Sequence, residues 1–166
     1  MLGNDTLAQV MDRNLQSVGG VAWTPTELQW ASTIQKTLPM QKPLDSARLV
    51  APISRGDGAA SSDVSDISWV SPTVGLGTAT WVPGTPAHSW QAVAASGMSI
   101  GAKGGVLAAK TIALTGAELF RSPATLAAAK AELLRLRGPS FTYQALLGDR
   151  KPALDYRKPM AAGPGE

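Results

Sequence analysis

Residues 99–120, SIGAKGGVLAAKTIALTGAELF, constrain the fold more than any other part of the chain. Over these 22 positions only Lys103, Lys110 and Glu118 are charged, and the rest are small or aliphatic on nearly every side of the helix they would form. Lys103 and Lys110 are seven apart, so they fall on one stripe, which is the wetted one. A helix this apolar needs neighbours to cover it, and it is expected at the centre of a domain. The most apolar part, 104–120, is broken by Lys110 and Glu118 and falls short of the roughly 20 residues that cross a bilayer, so no membrane span is expected.

The segments around it read as further helices. In 5-DTLAQVMDRNLQSVGG-20, Leu7, Val10, Met11, Leu15 and Val18 recur at helical spacing, with Asn4 or Asp5 as the cap and Gly19-Gly20 as the stop. In 24-TPTELQWASTIQKTLP-39, Thr24 stands at the cap, Pro25 at the first helical position and Glu27 where its carboxylate reaches back to the cap amide. Leu28, Ala31, Ile34 and Leu38 then share one face. A short turn or helix is expected at 63–69. Ser122 caps and Pro123 opens a last Ala/Leu helix over 123–138, closed by Gly138.

Two stretches read as strands. The run 73-TVGLGTATWV-82 has the β-branched and small character of a buried strand, its glycines suiting close backbone approach, and 47-ARLVAPI-53 is a weaker candidate. With four prolines and no periodicity, 139–166 reads as an extended tail. The expected organisation is an α/β domain over 1–138, part of a sheet-and-helix layer, followed by that tail.

Composition narrows the chemistry. A chain with 44% hydrophobic and 16% charged residues can bury a core, and with no cysteine it has neither disulfides nor thiolate metal ligands, which fits the cytoplasm. The N-terminal residues carry Asp5 and Asp12 and lack an apolar core of signal-peptide length. Phosphate-binding glycine loops and HExxH are missing from the sequence. The basic excess sits beyond residue 120, where Arg135, Arg137, Arg150, Lys151, Arg157 and Lys158 are interrupted by Asp149 and Asp155 with few aromatics, a solvated face rather than a nucleic-acid surface.

One histidine remains to be placed. In 81-WVPGTPAHSWQ-91, Pro83 and Pro86 stiffen the approach to His88, Gly84 permits a tight turn, and Trp81 and Trp90 flank the ring. A lone loop histidine is most often simply solvated, but a rigid imidazole at the exit of a strand also suits a metal or a proton. A zinc site needs about three protein ligands, which one imidazole does not supply. Asp57, Asp63 and Asp66 precede the strand and could approach it, although their spacing does not demand it.

The motifs 61-SSDVSDISWVSPT-73 and 81-WVPGTPAHSWQAVAASGMSIGAKGG-105 resemble the C-terminal part of the zinc amidohydrolases related to aminoacylase and carboxypeptidase G, nearest the branch that holds the B subunits of p-aminobenzoyl-glutamate hydrolases. The likeness extends through 106–138 and 152-PALDYRKP-159, and 3-GNDTLAQVMDRNLQSVG-19 resembles the return from the lid domain inserted in those enzymes. The resemblance implies a mixed-sheet catalytic domain with two zinc or manganese ions, a glutamate that activates the bridging water, and hydrolysis of N-acyl amino acids. It puts one metal-binding role on His88. It also places Ser62, Asp63 and Gly84 near the bound acyl amino acid, although Asp63 equally suits a helix cap and Gly84 a turn.

The family's HxD segment, its Glu-Glu pair and its lid have no counterpart here, since the four glutamates are all isolated. The sequence therefore reads as the C-terminal half of a hydrolase, inactive alone and in need of a complementary N-terminal half or partner subunit. The other reading is a non-catalytic interaction module, whose exposed half-sheet and Trp-rich rim dock on a partner chain.

Overall fold

The computed structural model describes residues 1–55, 62–154 and 157. Among them the chain forms α1 (Asp5–Val18), α2 (Pro25–Gln35), α3 (Val64–Val70), α4 (Trp90–Ser96), α5 (Ser99–Arg121) and α6 (Pro123–Arg137), with a 3-10 turn at Leu44–Arg48. No strand occurs among the described residues, so the expected α/β mixed sheet is replaced by a helical fold.

The segment expected to be a strand shows why. Residues 73–82 are irregular and unpaired, and instead of joining a ladder they cross the N-terminal half of α5. Thr78 Oγ1 donates to the Gly104 carbonyl at 3.0 Å, and the Thr80 amide is turned back onto the Thr78 carbonyl at 3.0 Å. A Cβ at Gly104 would lie 2.5 Å from the Ala79 carbonyl oxygen, so the close approach belongs to the helix, whereas Gly75 and Gly77 of the segment itself meet nothing within 4 Å. The other strand candidate, 47–53, is taken up by the end of the 3-10 turn and irregular chain.

Local signals in the sequence set the helix ends. Asn4 Oδ1 accepts from the Leu7 amide at 3.0 Å, and its Nδ2 donates to the Ala129 carbonyl at 2.9 Å, so one buried side chain caps α1 and ties it to α6. Glu132 of α6 accepts from the amides of Asp5 (2.7 Å) and Thr6 (2.9 Å) and from the Thr6 hydroxyl (2.7 Å), satisfying donors that α1 cannot satisfy internally. Thr24 and Glu27 form the reciprocal box at the start of α2, and Ser122 caps α6.

Helix α5 packs against α1, α4 and α6. The face it turns inward consists of Ile100, Gly101, Gly104, Leu107, Thr111 and Thr115. Leu7, Val10 and Met11 of α1 are buried, and the hydroxyl of Thr115 reaches Met11 Sδ at 3.4 Å. A second cluster joins Ala31, Ile34 and Leu38 to Val82 and Ile100, with Trp23, Trp30 and Leu44 packed against it. Leu28, expected on the same face of α2, is exposed. The expected burial of α5 on nearly all sides is not met: Val106, Ile112, Leu114 and Phe120 are exposed.

Gly104 and Gly105 offer a direct comparison. Alanine in a helix is favoured over glycine by about 1 kcal/mol, and overpacking costs about 1–3 kcal/mol. Gly105 has open space where a methyl would go, whereas Gly104 faces backbone that cannot rotate away. Gly105→Ala is expected to raise the urea unfolding midpoint and Gly104→Ala to lower it.

Candidate functional site

The His88 loop is fixed at both ends. Val82 is 1% exposed in the core, and the backbone turns at once, with the Thr85 amide and hydroxyl donating to the Val82 carbonyl at 3.0 and 2.7 Å. Gly84 has φ +93°, and a Cβ there would lie 2.2 Å from the Met40 carbonyl oxygen, so this turn requires glycine. At the far end Ser89 Oγ donates to the Pro86 carbonyl at 2.8 Å and accepts from the Ala92 amide at 3.2 Å, which starts α4. Gln91, buried, reaches the Thr37 carbonyl and hydroxyl at 3.2 Å, pinning α4 to the end of α2.

Helix α4 is absent from the sequence reading, whose loop ends at Gln91 and which assigns no element to 92–98. Signals for it stand in the sequence: a serine three residues before the bonded amide, an alanine-rich turn, and Gly97 at its end. It matters because it carries Trp90 and positions the far wall of the site.

Between these anchors His88 has φ +57°, the one non-glycine residue with positive φ among the described residues. Such a backbone costs an L-residue roughly 1–2 kcal/mol and persists when surrounding contacts impose it. The imidazole is exposed and lines an open depression with Trp81, Ser89, Trp90, Val93 and Ser96. Trp81 Nε1 donates to Ser96 Oγ at 2.9 Å, which fixes the ring as one wall; Trp90, 59% exposed, is the other. The two indoles flank the histidine but leave it open to solvent.

The other candidates lie elsewhere. Gly84 borders a separate depression with Lys42, Ser46, Thr78 and Thr80. Ser62 and Asp63 line neither depression and precede α3, whose Trp69 stacks on Phe141 at 5.3 Å while Asp66 accepts from the Tyr143 hydroxyl at 3.2 Å. The capping role considered for Asp63 falls to Ser62, whose hydroxyl accepts from the Val64 amide at 3.2 Å; the Asp63 side chain makes no cap bond. Asp57 lies outside the described residues. Among the described residues no three His, Asp or Glu side chains converge, so they present one imidazole and not the donor set of a zinc or manganese site.

Outside both depressions, Glu27 joins the starts of α2 and α5. Its carboxylate receives Lys103 Nζ at 2.6 Å, Ser99 Oγ at 2.5 Å and the Thr24 amide at 2.6 Å, while Lys103 also donates to the Ala22 carbonyl at 3.1 Å. Lys103 is thus half-buried and paired, not a member of a wetted stripe with the exposed Lys110. The Lys103 ammonium, then the Ser99 hydroxyl and the Thr24 amide, hold Glu27 at about 2 against an ordinary 4.5.

Comparison with known proteins gives the site a context. The chain is 34% identical to the B subunit of p-aminobenzoyl-glutamate hydrolase from Escherichia coli (strain K12), across 72% of this chain and 30% of that protein. It is related to that hydrolase subunit. The chain spans less than a third of the relative's length. No protein-family model and no solved structure matches it.

Two measurements follow. A carboxylate with a depressed folded pKa stabilises above its unfolded pKa and loses that contribution as pH falls through the folded one, so the Glu27 contribution is expected to fade between about pH 4.5 and 2. Glu27→Gln keeps an N3 side chain able to bond the cap amide but loses the ion pair; it should lower the unfolding midpoint at pH 7 and converge on the parent near pH 2. For the loop, His88→Gly is expected to leave the unfolding free energy unchanged or raise it by up to about 1 kcal/mol, because glycine removes the positive-φ cost. A clear fall would mean that the imidazole itself holds the loop.

Proposed function

We propose that this chain is the C-terminal part of a metal-dependent amidohydrolase acting on N-acyl amino acids of the p-aminobenzoyl-glutamate kind, and that it contributes His88 to a metal centre whose other donors lie on polypeptide outside it. The observation that carries this reading is the His88 loop: an imidazole forced to positive φ, anchored at Val82 and Gln91, and open to solvent between two indoles. Its support is the relationship to a subunit named for hydrolysis of p-aminobenzoyl-glutamate.

The chemistry agrees with that division of labour. A solvent-open imidazole with no hydrogen bond among the described residues is available as a donor, but alone it binds a metal weakly. A metal, when bound, would supply an activated water; a general base and further ligands would also be required, and the described glutamates are committed elsewhere: Glu27 to Lys103, Glu118 to Arg13, Glu132 to the start of α1. The chain by itself should not turn over substrate. Ser62, Asp63 and Gly84 are assigned to the acyl amino acid side of the complete site, Gly84 by its fixed turn next to the His88 loop.

The test uses p-aminobenzoyl-glutamate with zinc or manganese. The chain alone is expected to release no p-aminobenzoate. Grafted into the Escherichia coli relative in place of the matched segment, within the complete hydrolase, it is expected to support turnover, and His88→Ala in the graft to reduce it by roughly 100-fold or more. Turnover by the isolated chain that vanishes in His88→Ala would refute the shared-site reading. A fully active His88→Ala graft would refute the role of the histidine.

A further inference from the structure

The side of α5 turned away from α1, α4 and α6 carries one exposed charge, Lys110, between positions 102 and 120 and is otherwise apolar. Positions spaced by three, four and seven place Val106, Ala109, Ile112, Ala113 and Phe120 on it, with Val106 and Ile112 each 55% exposed and Phe120 93% exposed. At 1.5 Å per residue this apolar face runs about 27 Å. Water-facing helices carry polar residues on the outer side, and a helix apolar all round is one that is covered all round. The cover here is missing from one side.

We infer that this outward face of α5 is the docking surface for polypeptide equivalent to the part of the Escherichia coli relative that this chain does not match, whether joined to it or separate. The inference rests on the reading that the site is completed from outside the chain. The relative is more than three times as long as the segment it shares with this chain, so ample polypeptide exists to cover the face. Its surface chemistry selects an apolar partner surface: small side chains at 102, 105, 109 and 113 let a neighbouring backbone approach closely, and the one exposed charge is Lys110. Exposed Val93 and Trp90 belong to α4, which packs on α5 and lines the depression that holds His88.

Two other occupants fit less well. A second copy meeting through α5 alone would cover a strip about 27 Å by 10 Å, roughly a third of the approximately 800 Å² per partner that a stable interface buries. A membrane fits less well: no single helix among the described residues is long and apolar enough to cross one, and the pair that reaches that length together, α4 with α5, is bent by 69° at its break.

The chain has no cysteine, so a single thiol reports on the face without background. Ile112→Cys in the free chain is expected to react with a water-soluble maleimide at the rate of an exposed thiol, independent of protein concentration and of added phosphatidylcholine–phosphatidylglycerol vesicles. In the intact Escherichia coli relative, cysteine at the position aligned with Ile112, read by peptide mass spectrometry, is expected to react roughly tenfold or more slowly, since closed surfaces react through opening. Equal rates in the two proteins would overturn the inference. So would protection in the free chain that grows with its concentration, which identifies a second copy, or with vesicles, which identifies a membrane. None of these readouts involves hydrolysis, so an inactive graft would sink the functional reading and leave this one standing, and an unprotected thiol in an active enzyme would do the reverse.

Discussion

The arrangement depends on one contact: the backbone of Ala79 and Thr80 lying on α5 at Gly104. A side chain at that position would place its Cβ 2.5 Å from the Ala79 carbonyl oxygen, so the crossing segment would have to move outward. Because glycine has none, Val82 reaches the cluster of Ile34, Leu38 and Ile100, and the chain leaves that cluster at a fixed point. Everything on the His88 loop is measured from there. The Gly84 turn, the Ser89 cap and the grip of Gln91 on Thr37 carry the fixed point around to α4, so an exposed imidazole is held by buried contacts on both sides of it.

Below that contact, Glu27 does three things at once. It caps its own helix, draws in Lys103 and Ser99 from α5, and through Lys103 holds the Ala22 carbonyl between α1 and α2. The carboxylate is largely shielded, its side chain 10% exposed, which makes the pair less sensitive to salt than the open pairs Arg13–Glu118 and Arg55–Asp5. Glu132 follows the same logic at the other end: burial works to raise its pKa, and bonds from the Thr6 hydroxyl, the Thr6 amide and the Asp5 amide outweigh it and leave it lowered. Helix termini, in this fold, are bound to one another by acids.

What is legible in the sequence is local. Asn4, Thr24 with Glu27, Pro25, Ser122, Pro123 and Gly138 each act within a few residues of where they stand, and they mark the starts of α1, α2 and α6 and the close of α6 as read, while α2 stops at Gln35, short of Pro39. The run 73–82 misleads because β-branched and small residues favour extended backbone, while a strand also requires a neighbour, and that requirement is non-local. Lys103 misleads for the same reason: its spacing from Lys110 is local, its bond to Glu27 spans 76 residues. The site is legible as a position and not as a chemistry. Proline, glycine and tryptophan around His88 announce a stiff loop, whereas Ser62 and Asp63, joined to it only by resemblance, lie with α3 beside Trp69 and Phe141.

The half-covered α5 and the lone imidazole are connected by more than proximity. Each is a group whose physical requirements exceed what its surroundings supply: an apolar surface needs a cover, and a donor needs companions to hold a cation. Helix α4 links them, since it follows directly from the His88 loop, packs on α5, and exposes Trp90 and Val93 between the two. On the proposed reading, in which the site is completed from outside the chain, the rigidity of the loop has a purpose, because a site assembled from two pieces forms cheaply only when each piece already holds its shape.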